Sequence, residues 1–343
     1  MRMKKPLPEP AAFGSTPHVL VIGDSHVDIA CTQHTAGPMR PNGSTRGCVR
    51  YKRGGVARNS AENLALLGCI CHLISVFGDD EQGRELMAAT QLAGVDLSHC
   101  LVVSDATTAT CLILNDHAGE MFFMMGDPGI VERLTPDWLA TKSELFGNAA
   151  LIVANTDLSE DALAWLFACH GDCPLFFDTV NDSVADRIRP WLRQVHTLKP
   201  NRREASLLSG LPFNSREEAP AVANWFHRAG VRHVILSLGA HGLYYSDGRQ
   251  SGWMAPLPVD VIDVTGAGDA LMAGLAYGYL HDLPFADSVA FGNACAALTL
   301  TTQANNHPEL SAASVHALLR GPGRATAPGA SGVQMPSRPW GRP

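Results

Sequence analysis

Between His18 and Leu318, short β-branched runs alternate with longer stretches of helical period. Strands read at "HVLVIG" (His18–Gly23), "CHLISVFG" (Cys71–Gly78), "ALIVANT" (Ala150–Thr156), "PLFFDTV" (Pro174–Val180) and "HTLKPN" (His196–Asn201). Helices read at Asn59–Gly68, closed by a C-terminal glycine, and at Glu81–Gly94, Glu160–Cys169 and Glu217–Ala229. "HVILSLGAHGLYYSD" (His233–Asp247) reads as two strands joined by a glycine turn. Strands alternating with helices predict an α/β fold, its mainly parallel central sheet covered by helices on both faces. Two segments, Asp28–Arg53 and Ser98–Gly126, keep β-like alternation without helices between. They predict a small antiparallel β-sheet lid projecting from the body.

Composition excludes several classes. With 343 residues, 46% hydrophobic and 17% charged, the chain can bury a large core. A net charge of −7 with scattered lysines and arginines leaves no footprint for nucleic acid. No apolar run is long enough for a bilayer, so no membrane partner is expected. The nine cysteines contain no C-x-x-C pair, and the Cys169–Cys173 spacing is one zinc sites rarely use. Free thiols in a reducing cytoplasm are expected. Residues 1–17 lack an apolar signal core and read as a flexible leader, and 321–343, rich in Gly, Pro and Ser, as a disordered tail. One domain over 18–320 remains.

The stretch Asp263-Val-Thr265-Gly266-Ala267-Gly268-Asp269 follows a strand expected at Val259–Ile262 and precedes a helix expected at Ala270–Leu280. Glycines there leave the amides of 266–269 free to converge on an anion at the positive end of the helix. No Walker lysine follows, so this is not a P-loop. Asp269 is placed to accept the proton of an attacking alcohol, or simply to complement the helix dipole.

Its companions each admit two readings. Gly54 and Gly55 permit close backbone approach to a ligand, and Asn59 offers a donor and an acceptor to vicinal hydroxyls. Arg58 opposes the dipole of the helix it opens, which a bound ligand or plain solvation would offset. Asp28 follows the first strand, where α/β sheets bind ligands, and is a sugar-hydroxyl acceptor or a turn aspartate. Asn201 and Glu204 have capping-box spacing and also suit a hydrated magnesium or phosphate. Ser237, Gly239 and Gly242 form either a nucleotide-binding backbone surface or a plain hairpin. Asn293 is a core amide or an adenine-side contact.

In their order along the chain, the glycine pair with Asn59, N-x-x-E at 201–204, S-x-G-x-x-G at 237–242 and D-x-T-G-A-G-D at 263–269 resemble the ribokinase-like, PfkB-type family of sugar and nucleoside kinases. Segments such as "GGVARN" and "SGW" before "AP" resemble a nucleoside-phosphorylating branch more than ribokinase itself. The resemblance implies a body of about nine strands with a β lid. It implies ATP and Mg²⁺, with Asp269 as base and the amides of Gly266, Ala267, Gly268 and Asp269 as anion hole. His26, Asp28, Gly54, Gly55, Arg58 and Asn59 would serve the nucleoside; Asn201, Ser237, Gly239, Gly242, Gly268 and Asn293 would serve ATP. Glu204 would hold Mg²⁺ through water, and Asp263 and Thr265 a monovalent cation such as K⁺. His26 stands where the family usually has asparagine, and an imidazole can titrate. A homodimer through the lid is implied by the same analogy. The alternatives are a kinase for another nucleoside or a free sugar, and an inactive ligand-sensing relative.

Overall fold

The computed structural model describes residues 18–39, 42–117 and 121–321. The leader at 1–17 and the tail beyond Gly321 lie outside the described residues. The first strands are β1 (His18–Ile22), β2 (His26–Gln33), β3 (Gly47–Gly54), β4 (Cys71–Ile74), β5 (Val76–Gly78), β6 (Leu101–Val103) and β7 (Ala109–Asn115). They are followed by β8 (Met121–Asp127), β9 (Ala149–Asn155), β10 (Leu175–Asp178), β11 (Thr197–Lys199), β12 (His233–Ser237), β13 (Leu243–Ser246) and β14 (Ser251–Met254). The helices are α1 (Val56–Leu66), α2 (Glu81–Leu92), α3 (Pro136–Ala140), α4 (Ser143–Gly147) and α5 (Glu160–Cys169). Then come α6 (Arg202–Ser209), α7 (Ala219–Arg228), α8 (Ala267–Leu280), α9 (Phe285–Thr299) and α10 (Ala312–Arg320).

Eight strands form the main sheet in the order β14-β13-β12-β11-β10-β9-β1-β4. Pairing is parallel from β4 to β12 and antiparallel for β13 and β14. Period-two geometry sends alternate side chains to opposite faces. Val19 and Val21 of β1 thus enter one core, with α1, α2, α8, α9 and α10; Leu20 and Ile22 enter the other, with α3 to α7. Both faces are dry, which is why the strands read as continuous apolar runs.

The lid is a separate sheet in the order β3-β2-β7-β8; its outer pairs are antiparallel but the central β2-β7 pair is parallel, so it is a mixed sheet and not the antiparallel one expected. Three further expectations need correction. "CHLISVFG" is two strands in different sheets, because β5 leaves the main sheet to pair with β6. Residues 98–108 consequently lie outside the lid. Val259–Ile262 is not a strand; the chain from 255 to 266 is irregular, tied to the body where Ile262 N–H donates to Leu300 O at 2.7 Å. Among the described residues no helix is long and apolar enough to cross a membrane. All nine cysteines are free.

Helices α8 and α9 pack with bare backbone against backbone. A Cβ on Gly274 would lie 2.5 Å from Gly292 Cα, and one on Gly292 would lie 2.8 Å from Leu271 O. This close approach seats α8 against the sheet and aims its N-terminus at the loops after β1, β10 and β11. In a free helix Gly→Ala stabilises by up to about 1 kcal/mol. Here the overpacking wins, and Gly274→Ala is expected to lower stability by about 1–3 kcal/mol in urea denaturation. A gain in stability would overturn the packing account.

Candidate active site

The amino end of α8 is the centre of the site. Gly266 is its N-cap in the left-handed region (φ 80°), and a Cβ there would lie 1.9 Å from Asn305 O. Both facts demand glycine. No side chain of the described residues caps α8, whereas Asp80, Ser159 and Asn201 cap α2, α5 and α6. The first-turn amides of Ala267, Gly268 and Asp269 therefore face outward as an uncapped donor cluster, suited to an anion.

Asp269 sits in that first turn, 8% exposed, and accepts from Asn59 Nδ2 at 2.7 Å. Burial and the nearby charge of Asp178 outweigh the hydrogen bond from Asn59 and the pull of Lys199, pushing its carboxyl up to about 7. A base poised near neutrality is what proton abstraction from an alcohol requires. Both readings of Asp269 survive in one geometry: it lies at the positive end of the helix, and burial raises its proton affinity.

On one side of Asp269, at the root of the lid, lies a cluster of buried polar side chains. Asp28, from β2, accepts from Asn305 Nδ2 at 2.7 Å and lies 3.1 Å from His26 Nε2. His26 Nδ1 lies 3.0 Å from Asp24 Oδ2. Burial disfavours the imidazolium, but the two carboxylates prevail and lift His26 to about 10. The charged imidazole is thus favoured between Asp24 and Asp28. Asp24 also accepts from the amides of Val56 and Ala57 (3.1 and 3.2 Å) and from Asn155 Nδ2 (2.8 Å). It thereby caps α1, whose own N-cap, Gly55, has no side chain. Gly54 and Gly55 are needed because a Cβ would strike His26 or the backbone of Ser25.

Arg58 departs from its expected role. It is wholly buried, in an ion pair with Glu62, and donates to Gly54 O (2.7 Å), Arg53 O (2.9 Å), the Asn59 amide oxygen and Asn306 Oδ1 (2.9 Å). Its charge is compensated by Glu62, and it also holds the Asn59 amide oxygen.

On the other side runs a groove of about 600 Å³. Asn201, Ser237, Gly239, Gly242, Gly268 and Asn293, the six residues expected to serve ATP, all line it. Val261 and Val264, 59% and 73% exposed, form an apolar wall. Asn293 donates to Ala255 O at 3.0 Å, so its amide is satisfied and still faces the groove. Asn201 and Glu204 form the capping box of α6, and Glu204 also accepts from Thr179 Oγ1. Burial and Asp178 raise the Glu204 carboxyl above its ordinary value despite these bonds. With its oxygens already engaged, Glu204 suits outer-sphere contact with a hydrated ion. At Asp263 a protein cation, the Lys52 ammonium from the lid, already pairs with the carboxylate, and Thr265 N–H donates to it at 2.9 Å.

Several site residues escaped sequence reading. Lys199 and Asp178 form a buried pair at 2.8 Å, and the Lys199 ammonium lies 3.3 Å from where a Gly268 Cβ would stand. Burial opposes its charge, but Asp178 prevails and the shift is upward. Asp157 follows β9; burial and Asp24 push its carboxyl up to about 8. Val180, a β-branched residue at φ 59°, holds a strained turn directly after Asp178 and Thr179. The D at the end of "FFD" and the K before "PN" were visible at strand carboxyl ends; nothing local marked Asn305 or Asn306.

The profile of the pfkB family carbohydrate kinases matches residues 16–312. The chain belongs to that family. It is 41% identical over 303 residues to pseudouridine kinase of Escherichia coli (strain K12), covering 88% of this chain and 96% of that one. It is 35% identical to an uncharacterized sugar kinase of the same organism, covering 88% and 83%. Ribokinase of Arabidopsis thaliana, solved with ribose and ATP, shares the fold at a TM-score of 0.79 and 20% identity, covering 89% and 99%. As a pfkB kinase the protein is a phosphotransferase with an alcohol acceptor, a sugar or nucleoside kinase.

Asp269→Asn is expected to fold, and to lose turnover by about 10²–10⁴-fold. In the wild type, kcat/KM should fall about tenfold per pH unit below a midpoint near 7, as the base takes up a proton. A carboxyl raised on folding loses stability as pH rises toward its folded value. Asp269→Asn should therefore be more urea-resistant than wild type at pH 8, the difference vanishing near pH 4. A turnover close to wild type would remove Asp269 from the chemistry.

Proposed function

We propose that the protein transfers the γ-phosphoryl group of ATP to the 5′-hydroxyl of pseudouridine, giving pseudouridine 5′-phosphate and ADP. The observation that carries the reading is the position of Asp269, buried in the first turn of α8 beside the uncapped amides of that helix. Asp28 and Asn59 would take the ribose hydroxyls, and the groove of 600 Å³ would take the nucleotide, its base against Val261 and Val264. Asp269 accepts the 5′-hydroxyl proton as the oxygen attacks phosphorus in line and the bond to the β-phosphate oxygen breaks. The amides of 266–269 and the ammonium of Lys199 meet the charge on the transferring group.

The carboxylates of Asp178 and Glu204 beside this cluster are hard oxygen donors that fit Mg²⁺. Such an ion would neutralise charge on the nucleotide phosphates, with Glu204 reaching it through water. Support for the nucleoside comes from the 41% identity to a pseudouridine kinase over nearly the whole of both chains. The rival, a free-sugar kinase, has its support in the 35% identity to a sugar kinase.

The lid supports a homodimer. On the face turned away from Asp28, Val49 and Tyr51 on one edge strand and Phe123 and Met125 on the other are 58%, 68%, 46% and 60% exposed. Sedimentation should show a dimer that Met125→Glu dissociates; a wild-type monomer would refute it. For the substrate, steady-state kinetics on pseudouridine, uridine, inosine, ribose and fructose 6-phosphate with MgATP should give the highest kcat/KM on pseudouridine. A clear preference for ribose would replace the nucleoside reading by the sugar one.

A further inference from the structure

Away from the kinase site, β4 forms one edge of the main sheet and carries a second group of metal-ligating side chains. His72 projects from β4, and Asp96 and His99 lie in the connection between α2 and β6. One ligand atom from each converges so that all lie within 4.8 Å of one another. His72 Nδ1 is 3.1 Å from Asp96 Oδ2, yet it is buried and makes no hydrogen bond. A nitrogen beside a carboxylate oxygen but not directed at it is how two ligands stand around a common centre. The edge of a tetrahedron with bonds of about 2.0–2.1 Å is about 3.3 Å, close to this spacing.

The surroundings hold the group in place. The His72 ring packs edge-on against His18, centroids 4.5 Å apart, and His99 stands 5.6 Å away on the same cluster. The second oxygen of Asp96 accepts from Ser98 N–H at 2.8 Å, which fixes the carboxylate plane. Among the described residues no lysine or arginine pairs with Asp96. The backbone already joins these parts, since Asp96 N–H donates to Cys71 O and Leu73 N–H donates to Asp96 O.

We propose that His72, Asp96 and His99 bind a zinc ion that clamps the connection after α2 to the edge strand. Two imidazoles and one carboxylate are a borderline donor set that favours Zn²⁺ over Mg²⁺ or Ca²⁺, and a fourth position is left to water. The ion stabilises the fold and takes no part in phosphoryl transfer.

Zinc chloride titrated calorimetrically into the full, tag-free chain without nucleotide should show one saturable site and raise the melting temperature. Asp96→Asn and His99→Gln, both near the surface, should each weaken binding at least about tenfold, abolish the thermal shift, and leave zinc-free kinase activity unchanged. Cobalt(II) in place of zinc should give the visible absorption of a tetrahedral nitrogen–oxygen site. No binding by the wild type, or equal binding by wild type and both variants, would overturn the proposal. So would a thiolate-to-cobalt band, which would place the ion on the cysteines.

Discussion

A carboxylate held out of water is the constraint on which this site depends. Asp269 must be dry enough for its proton affinity to rise toward neutrality, and must still stand at the uncapped end of a helix. The structure meets both needs by placing it in the first turn of α8, with Asn59 donating to it and Lys199 close by. Desolvation dominates its upward shift, and the surrounding positive groups keep the ionised form within reach. Every element that excludes water there, from the Gly274–Gly292 contact to the seat of Gly266 on Asn305 O, serves that balance.

A second chain of interactions joins the lid to the body. Asp24 caps α1 and holds His26; His26 holds Asp28; Asp28 holds Asn305, which in turn bonds Arg53 O at the end of β3. The start of α1 and the root of the lid are therefore one network of charge-assisted hydrogen bonds. The same logic explains Arg58. Its guanidinium is spent on Glu62, Asn306 and two carbonyls, so Asn59 points at Asp269.

Much of this was readable where contiguous residues decide the geometry. The cradle at 263–269 is a turn, a left-handed glycine and a helix start, and all three are local properties. The capping box at Asn201 and Glu204 is equally local. Arg58 shows the limit: the rule that a cation disfavours a helix N-terminus was sound, but Glu62 one turn on was the visible partner, and Asn306 lies 248 residues away. Val259–Ile262 was misread because a β-branched run looks like a strand whether it pairs or walls a groove.

The sequence by itself determined the alternating α/β plan, the lid segments and the anion-binding turn, because backbone periodicity and glycine freedom act over a few residues. Only the tertiary structure decided that burial draws the Asp269 carboxyl up toward neutrality and that two carboxylates flank His26. It also decided that Lys52 pairs with Asp263, and that β5 belongs to a different sheet from β4. Those outcomes rest on desolvation and on charges brought together from distant segments, and both fall off with distances that spacing along the chain does not contain.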